Sequence, residues 1–207
     1  MSHDLLRVQA RDYYDAKLRA YGATPAGADW NSLESQELRF RQLAQLWHDD
    51  ADASLLDYGC GYAALASYVR DRGHRGAYVG FDVSDSMVEA ASTRVASLPG
   101  CRVTTRHEEL VAVDYAVASG VFNVKQQATD EAWSAYMWDT VADLAALGRR
   151  GFAFNALTRY SDPEKRRADL FYADPLELFD RCKRTYSRFV TLLHDYPLYE
   201  FTIIVRR

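Results

Sequence analysis

The sequence predicts an α/β fold: an open, doubly wound, mostly parallel sheet with helices on both faces, preceded by a helical segment. Three observations carry this expectation. From residue 51 onward, short apolar runs alternate with amphipathic stretches, the pattern of β-α-β units. Gly59 and Gly61 sit where the first apolar run meets the next helix. The chain ends in two apolar runs with no helix between them, which reads as a hairpin placing an antiparallel last strand on the sheet.

The elements follow in order. Residues 5–20 read as a helix with Leu5, Val8, Tyr13 and Leu18 as its buried face. Gly22, Pro25 and Gly27 break the pattern. A second helix starts near Ser32 or Glu34 and runs to about Asp49, with Leu38, Leu43, Leu46 and Trp47 at helical spacing. Strands are expected at 54–58, 77–82, 102–105, 115–118 and 151–155, with helices at 63–72, 86–97 and 129–147. Trp133, Tyr136, Met137 and Leu144 lie on one side of the last of these helices. Pro175 opens a short helix to about Lys183, since proline is tolerated in a first turn. Strands at 188–193 and 201–205 flank the closing hairpin turn.

Length and charge narrow the class. The chain has 207 residues, which favours one structural unit, with residues 1–50 as a helical cap and 51–207 as the core. Hydrophobic residues are 48% and charged residues 26%, which excludes disordered and coiled-coil classes. A net charge of −4 argues against nucleic acid as the main partner. Cys60, Cys101 and Cys182 are odd in number and widely spaced, and they form neither a disulfide framework nor a zinc motif. No apolar run approaches the roughly 20 residues of a membrane span, and the N-terminus lacks a secretory pattern, so a cytoplasmic protein is expected.

The strongest local signal is Asp57-Tyr58-Gly59-Cys60-Gly61 between strand and helix. Glycines let the backbone turn tightly and approach a ligand closely. Asp82 ends the next strand, 21 residues beyond Gly61, where an acid can accept hydrogen bonds from both hydroxyls of an adenosine ribose. Two cofactors fit. Gly59-x-Gly61-x-x-Ala64 satisfies the loose dinucleotide fingerprint of an NAD(P)-dependent oxidoreductase. Against it, Asp57 would crowd a pyrophosphate and no second mononucleotide-binding half follows. S-adenosylmethionine carries an ammonium, a sulfonium and no phosphate, so Asp57 then becomes a partner for the amino group.

These residues resemble the class I S-adenosylmethionine-dependent methyltransferases. Asp57-x-Gly59-x-Gly61, Asp82 and the final Phe201-Thr202-Ile203-Ile204-Val205 run carry the likeness, with Ala63 replacing a frequent third glycine. The resemblance covers about residues 50–207 and implies a Rossmann-like, seven-stranded sheet. Two stretches resemble a smaller bacterial group within it: Asp29-Trp30-Asn31-Ser32 with Ser35-Gln36-x-x-Arg39-Phe40, and Ser119-Gly120-Val121-Phe122-Asn123. The resemblance implies that Trp30, Gln36 and Arg39 reach the methionine end of the cofactor, with Ser119 and Phe122 at the end of the fourth strand. Gln36 and Arg39, three residues apart, share a helix face, and Arg39 is a candidate partner for the cofactor carboxylate. Glu108 is the expected acid at the adenine amino group, and Met87 the residue packed on adenine.

The acceptor is less legible. The protein's task is alignment, exclusion of water and removal of one acceptor proton where needed. Ser119-Gly120-Val121-Phe122 is not the Asn/Asp-Pro-Pro-Tyr motif of amino-methylating nucleic-acid enzymes, and no acidic cluster suggests a metal. A small-molecule acceptor is expected. Tyr14 and Phe122 are the leading aromatic walls for the sulfonium. His194, in the hairpin turn, is the expected base. A non-catalytic binder of S-adenosylmethionine remains the other reading beside the oxidoreductase.

Overall fold

The computed structural model describes residues 3–48 and 50–207. Helix α1 (His3–Tyr21), a 3-10 turn at Ala26–Ala28 and helix α2 (Leu33–Ala44) precede the first strand. The core then runs β1 (Leu55–Tyr58), α3 (Ala64–Asp71), β2 (Tyr78–Phe81), α4 (Asp85–Val95), β3 (Cys101–Thr104) and β4 (Val113–Ala118). It continues with α5 (Asp130–Leu147), β5 (Gly148–Leu157), α6 (Pro175–Thr185), β6 (Phe189–Leu193) and β7 (Glu200–Arg206).

The seven strands lie in the order β3-β2-β1-β4-β5-β7-β6. Only β7 runs antiparallel, inserted between β5 and β6, with Phe154 opposite Ile203 and Leu192 opposite Ile203 on its other side. This is the seven-stranded Rossmann-like sheet that the family resemblance implies. Its order reverses between β1 and β4, and ligands of open α/β sheets bind at the strand ends beside such a switch point.

Both faces of the sheet are covered, so its central strands are buried throughout rather than alternating. Leu56, Val79, Ala116, Phe152 and Ile203 face Met137 and Val141 of α5 and Leu178 of α6. Leu55, Tyr78, Val117 and Ile204 face Phe40 and Leu43 of α2, Leu65 and Val69 of α3, and Ala91 of α4. Side-chain caps set the helix starts. Ser32 and Ser35 form a capping box on α2, Ser84 accepts the Met87 N–H at α4, and Asp174 caps α6 ahead of Pro175.

Two helical expectations need correction. The inward stripe of α1 is not Leu5 and Val8, which are 46% and 40% exposed, but Leu6, with Ala10 and Tyr14 one and two turns on. The helix lies over the open end of the sheet, where a narrow stripe suffices; Leu5, Val8 and Tyr21 are exposed, while Tyr13 and Leu18 are half-buried. Helix α2 stops at Ala44, not Asp49, because Gln45 N–H turns back to Gln42 and Leu43 carbonyls; Asp49 itself lies outside the described residues.

Candidate functional site

The first loop leaves β1 through three left-handed positions. Gly59, Gly61 and Ala63 have φ of +76°, +52° and +57°. Ala63 tolerates what a frequent third glycine would do freely, at about 1–2 kcal/mol. The loop is stapled to β2: the N–H groups of Gly59 and Cys60 donate to the Phe81 carbonyl at 2.7 and 2.9 Å. Asp82 completes the staple, its carboxylate accepting the Gly61 N–H at 2.8 Å and the Ser84 N–H at 3.0 Å. Burial pushes its carboxyl up, against the pull of those N–H groups. A carboxylate offers about four acceptor sites, so lone pairs remain for a ligand.

Asp57, at the end of β1, is almost fully buried and accepts the Tyr78 hydroxyl at 2.6 Å. Burial pushes its carboxyl up to about 7, with the Tyr78 bond opposing. A cation brought beside it would return it to the ionised form.

These residues line one cavity with Trp30, Gln36, Met87, Ser119 and Tyr14. The helical segment forms its roof. Gln36 accepts the buried Tyr62 hydroxyl at 2.9 Å, while Asp15 of α1 accepts the Ser84 and Ser86 hydroxyls at 2.5 and 2.6 Å. Trp30 lies against Gly120, whose φ is +74° and where any Cβ would overlap the indole. The Gly120 N–H is held by Asn155 Oδ1 at 2.7 Å.

A second cavity adjoins the first and shares Tyr14, Ala28, Trp30 and Gly120 with it. Its other walls include Arg39, Asn123, the 161–172 loop, Tyr199 and Glu200. Arg39 does not enter the cofactor cavity. Its Nε and Nη2 donate to the two Glu200 oxygens at 2.8 and 2.6 Å, its Nη1 to the Ser35 carbonyl at 2.6 Å, and its guanidinium stacks 4.2 Å from the Trp30 ring. The expected pairing with a cofactor carboxylate is corrected accordingly: a buried carboxylate 161 residues away has claimed the guanidinium.

Three further expected residues lie outside both cavities. Glu108 sits on an exposed 3-10 turn (His107–Glu109), 3.3 Å from Arg106. Phe122 is fully buried and packs edge-on against Phe154, because its strand-end loop turns the ring into the core. His194 is on the correct edge of the sheet, but its ring is exposed and lies beside Tyr160 and Phe201. Tyr14 lines both cavities, and burial raises its hydroxyl well above the ordinary phenol range, so it stays a neutral donor. The sequence reasoning missed Tyr136 of α5 in the first cavity and Asn123 and Glu200 in the second. Asn123 closes the Ser119–Asn123 stretch, which was a usable signal; Glu200 had none.

One property decides between the two cofactors. Among the described residues the first cavity is lined by two carboxylates and many aromatic rings, and by no lysine, arginine or histidine. That lining suits a cationic nucleoside rather than a pyrophosphate. The methyltransferase domain family matches residues 56–143. "Putative methyltransferase Rv1506c" of Mycobacterium tuberculosis (strain ATCC 25618 / H37Rv) is 50% identical over 154 residues, covering 74% of this chain and 93% of that protein. The chain belongs to the class I S-adenosylmethionine-dependent methyltransferases.

Solved structures agree at the level of fold. Magnesium protoporphyrin IX methyltransferase from Synechocystis PCC 6803 with bound SAH matches all of both chains with a TM-score of 0.70 at 16% identity. The N-methyltransferase NodS from Bradyrhizobium japonicum WM9 matches 95% of this chain and 97% of its own, with a TM-score of 0.64 at 14% identity. Such identities speak for the methyltransferase fold alone and leave the acceptor to the site itself.

Proposed function

We propose that the first cavity binds S-adenosylmethionine and that a small-molecule acceptor enters through the second. The observation that carries this reading is the junction of the two cavities at Trp30, Tyr14, Ala28 and Gly120. An acidic, aromatic chamber opens there onto a strongly polar one, which is the arrangement a two-substrate transfer needs.

In this reading Asp57 holds the amino group and Asp82 the ribose hydroxyls, while Gly59 and Gly61 let the backbone approach closely. Met87, 1% exposed and packed beneath Gly61, forms the floor under the base. The cofactor supplies an activated methyl group. The chain supplies alignment: Trp30, fixed between Gly120 and Arg39, bounds the passage between the cavities. Helices α1 and α2 act as a cap that excludes water, held by the Asp15, Gln36 and Arg39 contacts.

Thermal unfolding with S-adenosylhomocysteine tests this, with NADH as control. A ligand at 100 times its dissociation constant adds about 2.7 kcal/mol, or roughly 5–11 °C for a chain of this size. A shift with S-adenosylhomocysteine alone is expected, with protection of residues 1–50 from protease. A shift with NADH alone overturns the reading.

A further inference from the structure

The second cavity is rich in charge, yet its acids are already engaged. Asp29 accepts the Tyr13 hydroxyl at 2.7 Å and pairs with Lys17 at 2.6 Å. Glu200, 1% exposed, is gripped at both oxygens by Arg39, and Oε1 also faces Asn123 Nδ2 at 3.4 Å. Both Glu200 oxygens are therefore already taken by donors. The neutral Tyr14 phenol offers no base, and among the described residues no histidine lines either cavity.

The cations are engaged unequally. Arg39 is spent on Glu200, and Arg167 is forked onto Asp169 at 2.5 and 3.0 Å. The Lys165 ammonium has no hydrogen bond or ion pair among the described residues, although Lys165 lines the same cavity. Asn123 adds a second unmet need. Its amide NH2 is turned to Glu200, so Oδ1 is left buried with no donor. The site thus has an unpaired positive charge, an unpaired acceptor and no free base.

We infer that the acceptor is a small oxyacid, a carboxylate or phosphate-type anion, whose already ionised oxygen takes the methyl group while Lys165 binds the anion. The inference rests on the assignment of the first cavity to S-adenosylmethionine. The anionic oxygen forms a bond to the methyl carbon. The carbon–sulfur bond breaks, its electron pair stays on sulfur, and the sulfonium becomes a neutral thioether. No proton is released, so no base is needed. An O–H or N–H on the body of the acceptor satisfies Asn123 Oδ1.

The test uses the full chain loaded with S-adenosylhomocysteine and titrated with acetate and with inorganic phosphate at fixed ionic strength, against chloride. Saturable binding of at least one anion is expected, weakened about tenfold or more in Lys165→Ala and restored in Lys165→Arg. Which anion binds tells carboxylate from phosphate. Binding no better than chloride, or equal binding by Lys165→Ala, overturns the inference. A second arm offers methyl-labelled S-adenosylmethionine to carboxylic acids, alkyl phosphates, and the alcohols and amines of the same skeletons. Label confined to the acids or phosphates supports the inference, and label on an alcohol or amine overturns it. Where no compound is labelled, the anion titration decides. Failure of S-adenosylhomocysteine itself to bind sinks the cofactor assignment instead, whatever the anions do.

Discussion

The two cavities are built from different material. The first is made at the ends of β1 and β2, where Asp57, Gly59, Gly61 and Asp82 lie within 26 residues and are joined by short backbone bonds. Its groups are few, and its charge has one sign. The second is made from the cap, the loop after β4, the loop after β5 and the hairpin, and its charged groups other than Lys165 are held in ion pairs. A binding chamber for a shared cofactor can be a local motif on a rigid edge. A chamber assembled from loops, as the second cavity is, is free to differ between relatives.

The sharpest way to break that contrast is at the strut joining the two regions. Arg39→Met leaves Glu200 buried and unpaired, and a loss of about 3–5 kcal/mol is expected. That is roughly 6–20 °C in melting temperature for a chain of this length. Adding Glu200→Leu restores most of it, because an apolar pair removes the uncompensated charge. If Arg39→Met melts like the parent, the pair is not the joint between cap and hairpin.

Asp82→Ala probes the local cavity. It removes the acceptor of two backbone N–H groups and, in the proposed reading, of the ribose hydroxyls. S-adenosylhomocysteine affinity should fall about 100-fold, or roughly 2.7 kcal/mol. Calorimetry showing less than a few-fold loss would remove Asp82 from the site.

Asp57 sharpens the comparison through pH. Its folded-state carboxyl is raised to about 7, while unfolded it titrates near 4. The folded form therefore holds more protons between these values, and this group's contribution to stability is full below about 4 and lost as pH rises through about 7. Binding of a cationic amino group runs the other way, since it needs the ionised carboxylate. S-adenosylhomocysteine affinity should rise about tenfold between pH 6 and 8, and Asp57→Asn should flatten that profile. An equally steep profile in the variant would assign the titration elsewhere.

The smallest effect is expected at His194. Exposed and outside both cavities, it should leave melting and S-adenosylhomocysteine affinity within about 0.5 kcal/mol of the parent when changed to alanine. A tenfold loss of methyl transfer to an identified acceptor would return it to the mechanism.

Much of this architecture is readable without coordinates. Strand–glycine–helix junctions, β-α-β periodicity and the terminal hairpin depend on neighbours in sequence, so they place the sheet, its antiparallel β7 and the Asp57–Asp82 edge. Trp30 and Gln36 were legible as cap residues through the resemblance of the Asp29–Phe40 stretch to a smaller methyltransferase group, and a local capping box starts the helix that carries Gln36. What tertiary structure alone decided was where long side chains end. Helical spacing puts Arg39 and Gln36 on one face, yet Gln36 meets Tyr62 while Arg39 reaches Glu200 across 161 residues. Phe122 and Glu108 stand at plausible sequence positions, but one ring turns into the core and one carboxylate into solvent. Periodicity fixes the direction of a Cα–Cβ bond; the partner a buried charge finds depends on which distant strand lies within a few ångströms of it, and only the packed sheet determines that.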